Sequence, residues 1–155
     1  MRFFLLPLIL TLSGCGSEQS ASVALGNGLH VNMALRSMFS LQSDWHRTLT
    51  ISHDNTQITR ELAADTGWWR GSNLYRAGDL YILDEGQNGC IAFRLSPLEF
   101  DDAAAKCSER RAAVAEPKYE GLTYLGTFSE INDGATHLAY QTADEAPERR
   151  LPDPR

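Results

Sequence analysis

Trp45-His46-Arg47-Thr48-Leu49-Thr50-Ile51-Ser52, followed by His53-Asp54-Asn55 and then by Thr56 to Leu62, is the stretch that decides the fold class. Side chains on a strand point alternately to its two faces. Here Trp45, Leu49 and Ile51 fall on one face, and His46, Thr48, Thr50 and Ser52 fall on the other. A helix would need its apolar residues three and four apart instead. Arg47 is the one interruption of the apolar face. His53-Asp54-Asn55 has turn chemistry, so Thr56 to Leu62 is predicted to return as the second arm of a hairpin.

The same signal recurs outward along the chain. His30 to Leu35 is a weaker strand candidate. Asn73 to Arg76 and Leu80 to Asp84 flank a turn at Ala77-Gly78-Asp79. After the turn formers Glu85 to Gly89, the stretch Cys90 to Leu95 puts Ile91, Phe93 and Leu95 on one face. Leu122 to Glu130 and Ala135 to Thr142 flank Asn132-Asp133-Gly134, whose Asp-Gly step favours a tight turn. Ser96-Pro97-Leu98-Glu99 reads as a helix start, with Ser96 as cap, Pro97 in the first helical position and Glu99 completing a capping box. Phe100, Ala104, Cys107 and Val114 would line one stripe of that helix, which must end by Pro117. The expected fold is mainly β: an antiparallel meander forming a small barrel or a sandwich, with one short helix inserted late.

The chain has 155 residues, enough for one core and not two. Its net charge of −6 argues against binding nucleic acid through phosphates, which needs a basic face. Residues 29–142 are expected to form the single β-rich domain. Residues 15–28, rich in Ser, Gly and Ala, read as a flexible tether. Residues 143–155 carry three prolines and read as a disordered tail.

The N-terminus carries the most specific motif. Arg2 is followed by an apolar run from Phe3 to Leu12, too short to span a bilayer. It ends in Leu12-Ser13-Gly14-Cys15, which resembles the lipobox of bacterial lipoproteins. The resemblance covers the first sixteen or so residues. It implies that residues 1–14 are a signal peptide, and that Cys15 carries a lipid and becomes the mature N-terminus. It also implies an oxidising compartment outside the cytoplasm. Gly16 leans the sorting towards the outer membrane, facing the periplasm, if the source is a double-membraned bacterium. With Cys15 lipidated, Cys90 and Cys107 remain as an even pair, read as a disulfide.

Chemistry-bearing residues are sparse. His46 and His53 flank a hairpin arm beside Asp44 and Asp54, but their spacing matches no metal-ligand motif and alternation separates them. There is no nucleophile elbow and no phosphate loop, so no cofactor or metal is expected. Neighbouring acids such as Asp84 with Glu85, or Asp101 with Asp102, have no assignable acid and base roles. The most unusual stretch is Asp65-Thr66-Gly67-Trp68-Trp69-Arg70-Gly71-Ser72-Asn73. Adjacent residues on extended backbone face opposite ways, so one indole is expected in the core and the other outside, beside Arg70. Trp68, Trp69 and Arg70 are thus the candidate partner-binding residues. The functional expectation is a lipid-anchored envelope protein with a non-catalytic β domain, held to the membrane through Cys15. Its partner would be a basic protein or peptide, or a glycan. The alternatives are an envelope enzyme acting on glycan through unidentified carboxylates, and a purely structural or assembly lipoprotein.

Overall fold

The computed structural model describes residues 18–38, 45–64, 69–105 and 121–151. Among the described residues ten strands follow in order: β1 Glu18–Ala24, β2 Leu29–Ser37, β3 Trp45–His53, β4 Thr56–Glu61, β5 Ser72–Ala77, β6 Leu80–Asp84, β7 Cys90–Leu95, β8 Leu98–Phe100, β9 Thr123–Asn132 and β10 Thr136–Thr142. They form two antiparallel sheets, β1-β2-β3-β4 and β10-β9-β5-β6-β7-β8. The fold is therefore mainly β and sandwich-like. The barrel alternative is excluded because the ladder is broken between the two sheets.

The alternation read in the sequence sets the inner faces. Val31, Met33, Leu35, Leu49 and Ile51 of the first sheet meet Leu74, Tyr81, Leu83, Phe93 and Phe128 of the second, all buried. Burying one such side chain stabilises the fold by about 1.5–3 kcal/mol. A one-residue slip of β3 would put Thr48, Thr50 and Ser52 inside, so the burial pattern fixes the register Leu49↔Met33 and Ile51↔Val31. Tyr81 and Phe93 stack across the β6–β7 ladder, with centroids 5.1 Å apart.

The sheets also meet along both flanks. On one flank the Gln19 carboxamide oxygen of β1 accepts from the Leu138 backbone N–H of β10 at 2.7 Å. On the other, Arg60 of β4 pairs with Asp102, and its guanidinium lies 4.0 Å from the Phe100 ring centroid. The edge strands β1 and β10, and β4 and β8, are thereby engaged with each other rather than left open for edge-to-edge association.

Three sequence expectations need correction. Residues 18–28 are not a tether: Glu18–Ala24 pairs with β2 along its whole length, from Glu18↔Arg36 to Ala24↔His30. Its half-buried face is built from Gln19, Ala21 and Val23, too small and polar to register as a strand signal. Ser96-Pro97 does not start a helix. It turns β7 into β8, where Leu95↔Leu98 and Phe93↔Phe100 pair. The two-residue spacing of Leu98 and Phe100 lets both pack on the core, and the ladder wins over the capping signature. Helical geometry among the described residues is confined to short 3-10 turns at Gly86–Asn88 and Asp102–Ala104. Residues 106–120, including Cys107, lie outside the described residues.

The third correction is the tail. Residues 143–151, with Pro147 among them, form neither strand nor helix, yet they are packed. The Glu145 carboxylate accepts from the Thr142 backbone N–H at 2.8 Å and its hydroxyl at 3.0 Å, which holds its pKa below the ordinary carboxylate value. Ala146 is buried. The chain then crosses the outer face of the second sheet. The Asn73 carboxamide donates to the Arg149 carbonyl at 2.8 Å, and the Tyr75 hydroxyl donates to Glu148 at 2.8 Å. Arg149 in turn donates to the Ser129 hydroxyl at 2.9 Å. A chain truncated after Ala146 is expected to lose about 1–2 kcal/mol of stability, since several hydrogen bonds worth about 1 kcal/mol each are offset by the entropy of ordering the strap. Urea unfolding of the truncated and full-length domains checks this, and equal midpoints would make the strap energetically idle.

Candidate functional site

Arg47 is the residue around which one end of the sandwich is organised. Its position on the inner face of β3, opposite Leu35, buries it completely. A lone buried guanidinium is costly, and three groups answer it. Glu85, immediately after β6, forms an ion pair with it across the two sheets. The Ala63 carbonyl, just beyond β4, accepts from Nη2 at 2.7 Å. The indole of Trp69 lies over the guanidinium, 5.6 Å from Cζ to the ring centroid.

Glu85 is almost as deeply buried as its partner. Burial pushes its carboxyl above the ordinary value, and the charge and hydrogen bond of Arg47 pull it back only in part. The backbone holds it in place. Glu85 N–H donates to the Gly89 carbonyl at 2.9 Å, and the Gly86 N–H donates to the Asp84 carboxylate at 2.8 Å.

Trp69 is fixed from a second side. Its indole N–H donates to the Ser72 hydroxyl at 3.0 Å, and the Ser72 carbonyl accepts from Thr127 at 3.3 Å. Gly71 makes the corner. Its φ is +119°, and a Cβ there would lie 2.9 Å from the Phe128 carbonyl oxygen, so no larger residue lets the segment approach β9 this closely. Arg70 is exposed, and its carbonyl accepts from the Arg149 guanidinium at 3.4 Å.

No family model, curated protein or solved structure matches this chain.

Trp69 is half-buried and packs on the core, and Arg70 stands beside it in solvent. Trp68, Cys15 and Cys107 lie outside the described residues. Cys90 opens β7, half-buried against the cluster of Tyr75, Ile82 and Ala92 on the outer face of the second sheet. His46 faces Glu61 at 3.5 Å, and His53 lies 3.9 Å from Asp54. Among the described residues no three His, Cys, Asp or Glu side chains gather at metal-binding distance.

The Arg47–Glu85 pair was not singled out from sequence, although one signal pointed to it. A cationic residue on an otherwise apolar strand face is either a misread register or a buried charge with a distant partner. Since Trp69 is only half-buried, Trp69→Ala is expected to cost about 2 kcal/mol, below the 3–5 kcal/mol or so of a fully buried tryptophan. Ser72→Ala should cost about 1 kcal/mol through loss of the indole hydrogen bond. Thermal unfolding of both variants tests the order. A neutral Trp69→Ala would remove the indole from the scaffold.

Proposed function

We propose that this is a lipid-anchored envelope protein, attached through Cys15, whose sandwich is a non-catalytic binding module. In a double-membraned source its site is the outer membrane, on the periplasmic side. Its contact residues are Trp68, Trp69 and Arg70, and its partner is a protein, a peptide or a glycan. Pairing of Cys90 with Cys107 belongs to the same proposal.

The observation that carries it is the fixed corner at Trp69-Arg70. The indole is held by Ser72 and Arg47, and the guanidinium of Arg70 is left to solvent beside it. A contact group held rigid before binding loses little entropy on binding, and Trp and Arg are the residue types that dominate contact energies. Of the ionisable groups buried at this end, Arg47 and Glu85 are turned on each other, and the Asp84 carboxylate accepts from the Gly86 N–H. That supports a scaffold role for them. The net charge of −6 favours a basic protein or peptide over an anionic one.

The anchor is tested by Cys15→Ser. The variant is expected to incorporate no labelled palmitate and to leave the membrane fraction, and normal incorporation with normal fractionation would sink the anchor. The contact surface is tested by a photo-crosslinking residue at position 70 in the membrane-attached protein. It should give a discrete adduct that the same probe at the exposed Thr59 does not. Identical patterns from both positions would remove the Trp–Arg corner as the contact.

A further inference from the structure

The start of β1 fixes which way the domain faces its membrane. Glu18 is already in the ladder, paired with Arg36, which in turn pairs with His46. Only Gly16 and Ser17 separate it from Cys15. Three residue steps reach at most about 10–11 Å. The polar headgroup layer alone takes up roughly 5–8 Å on each side of a bilayer. A lipid on Cys15 would therefore leave Glu18 almost no distance from the lipid surface.

The end of the first sheet that holds Glu18 is the end that carries the candidate site. Ser37 pairs with Trp45 there, next to the Arg36↔His46 pair, and Met38 follows, half-buried. Arg47 is the next inward residue, with Trp69 over it and Arg70 adjoining. The opposite end is marked by Ala24↔His30 and His30↔Ser52. It lies six residues further along β1, about 20 Å at the rise of a strand. The linker is half that length, so it cannot reverse the domain.

We infer that the Trp45–Trp69–Arg70 end of the sandwich rests on the bilayer surface, with lipid headgroups as its first ligand. This rests on the lipidation of Cys15 proposed above and names the partner that the same end meets first. The side-chain chemistry suits the position. Indoles prefer the boundary between hydrocarbon and headgroups, and Trp45 and Trp69 are both half-buried at this end. An exposed arginine can lay its stem on apolar surface and its guanidinium among phosphates. A soluble partner would then reach Arg70 only at the membrane surface. The outer face of the first sheet would stay open to the periplasm, with its row of Ser22, Asn32, Thr50 and Thr59.

The test uses the full lipidated protein, reconstituted into vesicles of phosphatidylethanolamine and phosphatidylglycerol. Part of the lipid carries bromine near the headgroup end of its acyl chains. Intact mass reports whether Cys15 is lipidated, flotation reports attachment, and tryptophan emission reports contact with bromine. The expected result is attachment with a clear loss of emission relative to unbrominated vesicles. A Gly/Ser insert of about 20 residues between Ser17 and Glu18, spanning roughly 25 Å, should relieve that loss while flotation persists. Quenching that survives the insert overturns the claim that the short linker sets the orientation. Lipidated protein that floats with unquenched emission overturns this inference and leaves the anchor standing. Protein with no lipid on Cys15 overturns both.

Discussion

Arg47→Met is expected to destabilise the domain by about 3–5 kcal/mol at neutral pH, the cost of breaking a buried ion pair by removing one partner. The loss has two parts. Glu85 keeps its burial but loses the guanidinium that lowers its pKa. Trp69 loses the guanidinium beneath its ring. The first part depends on pH, and its sign follows from linkage. A carboxyl whose folded-state pKa lies above its unfolded value contributes stability that is fully present below the unfolded value, near 4.5, and is lost as pH rises through the folded value. In the wild type this is a negative slope of stability with pH above about 4.5. Arg47→Met moves the folded value of Glu85 higher still, so the deficit of the variant should grow as pH rises and shrink towards the packing loss alone below 4.5 or so. Glu85→Gln removes the titrating group and should remove that component of the slope. The double change Arg47→Met with Glu85→Leu should recover most of the single-variant loss, because an apolar pair of similar volume needs no compensating charge. Urea midpoints of the four proteins from pH 4 to 8 decide the matter. A single variant within about 0.5 kcal/mol of wild type at every pH would show that the pair contributes nothing to joining the sheets.

How much of this was legible in the sequence follows from what each segment asks of its residues. β3 and β7 announce themselves because Leu49 and Ile51, and Ile91 and Phe93, sit at period two on a buried face, whereas β4 and β6, the one with no buried residue and the other buried on both faces, are marked by the turns that precede them. β1 does not announce itself, because its inner face uses Gln19, Ala21 and Val23. Its place in the sheet is earned by pairing with β2 and by the Gln19 bond to β10, which no local pattern encodes. β8 is three residues long and follows a strong helix-start signature, so the outcome there was set by the neighbouring strand β7. The strap after Thr142 owes its order to Asn73, Tyr75 and Ser129, residues at least 20 positions away from their partners in the strap. The site divides in the same way. Trp69 and Arg70 stood out by composition. Arg47 stood out only as an irregularity, and Glu85 looked like a loop residue until the second sheet brought it opposite.

Gly126 is the position where the smallest change should do the most damage. It lies in β9 at φ +149°, beside the irregularity where the β5–β9 register shifts between Leu74 and Tyr75. A Cβ built there would lie 2.3 Å from the Gln141 carbonyl oxygen and 2.6 Å from the Tyr140 hydroxyl oxygen. The first neighbour is backbone of the adjoining strand, so it cannot swing away. The second belongs to a ring packed edge-on against the buried Phe128, with centroids 4.8 Å apart. Relief therefore requires β10 to move off β9 or the Tyr140 ring to leave its contact, and both disturb the inter-sheet core. Overpacking of this kind costs about 1–3 kcal/mol even where side chains can adjust. With backbone as the obstacle, Gly126→Ala is expected to reach or exceed about 3 kcal/mol, a large share of the 5–15 kcal/mol or so that holds a typical domain together. Gly78→Ala is the matched control. That glycine sits at φ +64° in the β5–β6 turn with nothing within 4 Å of its Cβ position, so only the left-handed backbone strain of about 1–2 kcal/mol applies. Thermal unfolding of both variants should separate them by several degrees. If Gly126→Ala melts with Gly78→Ala, the contact between β9 and Tyr140 is loose enough to yield, and the tightness of this corner of the core is not what holds β10 to the sheet.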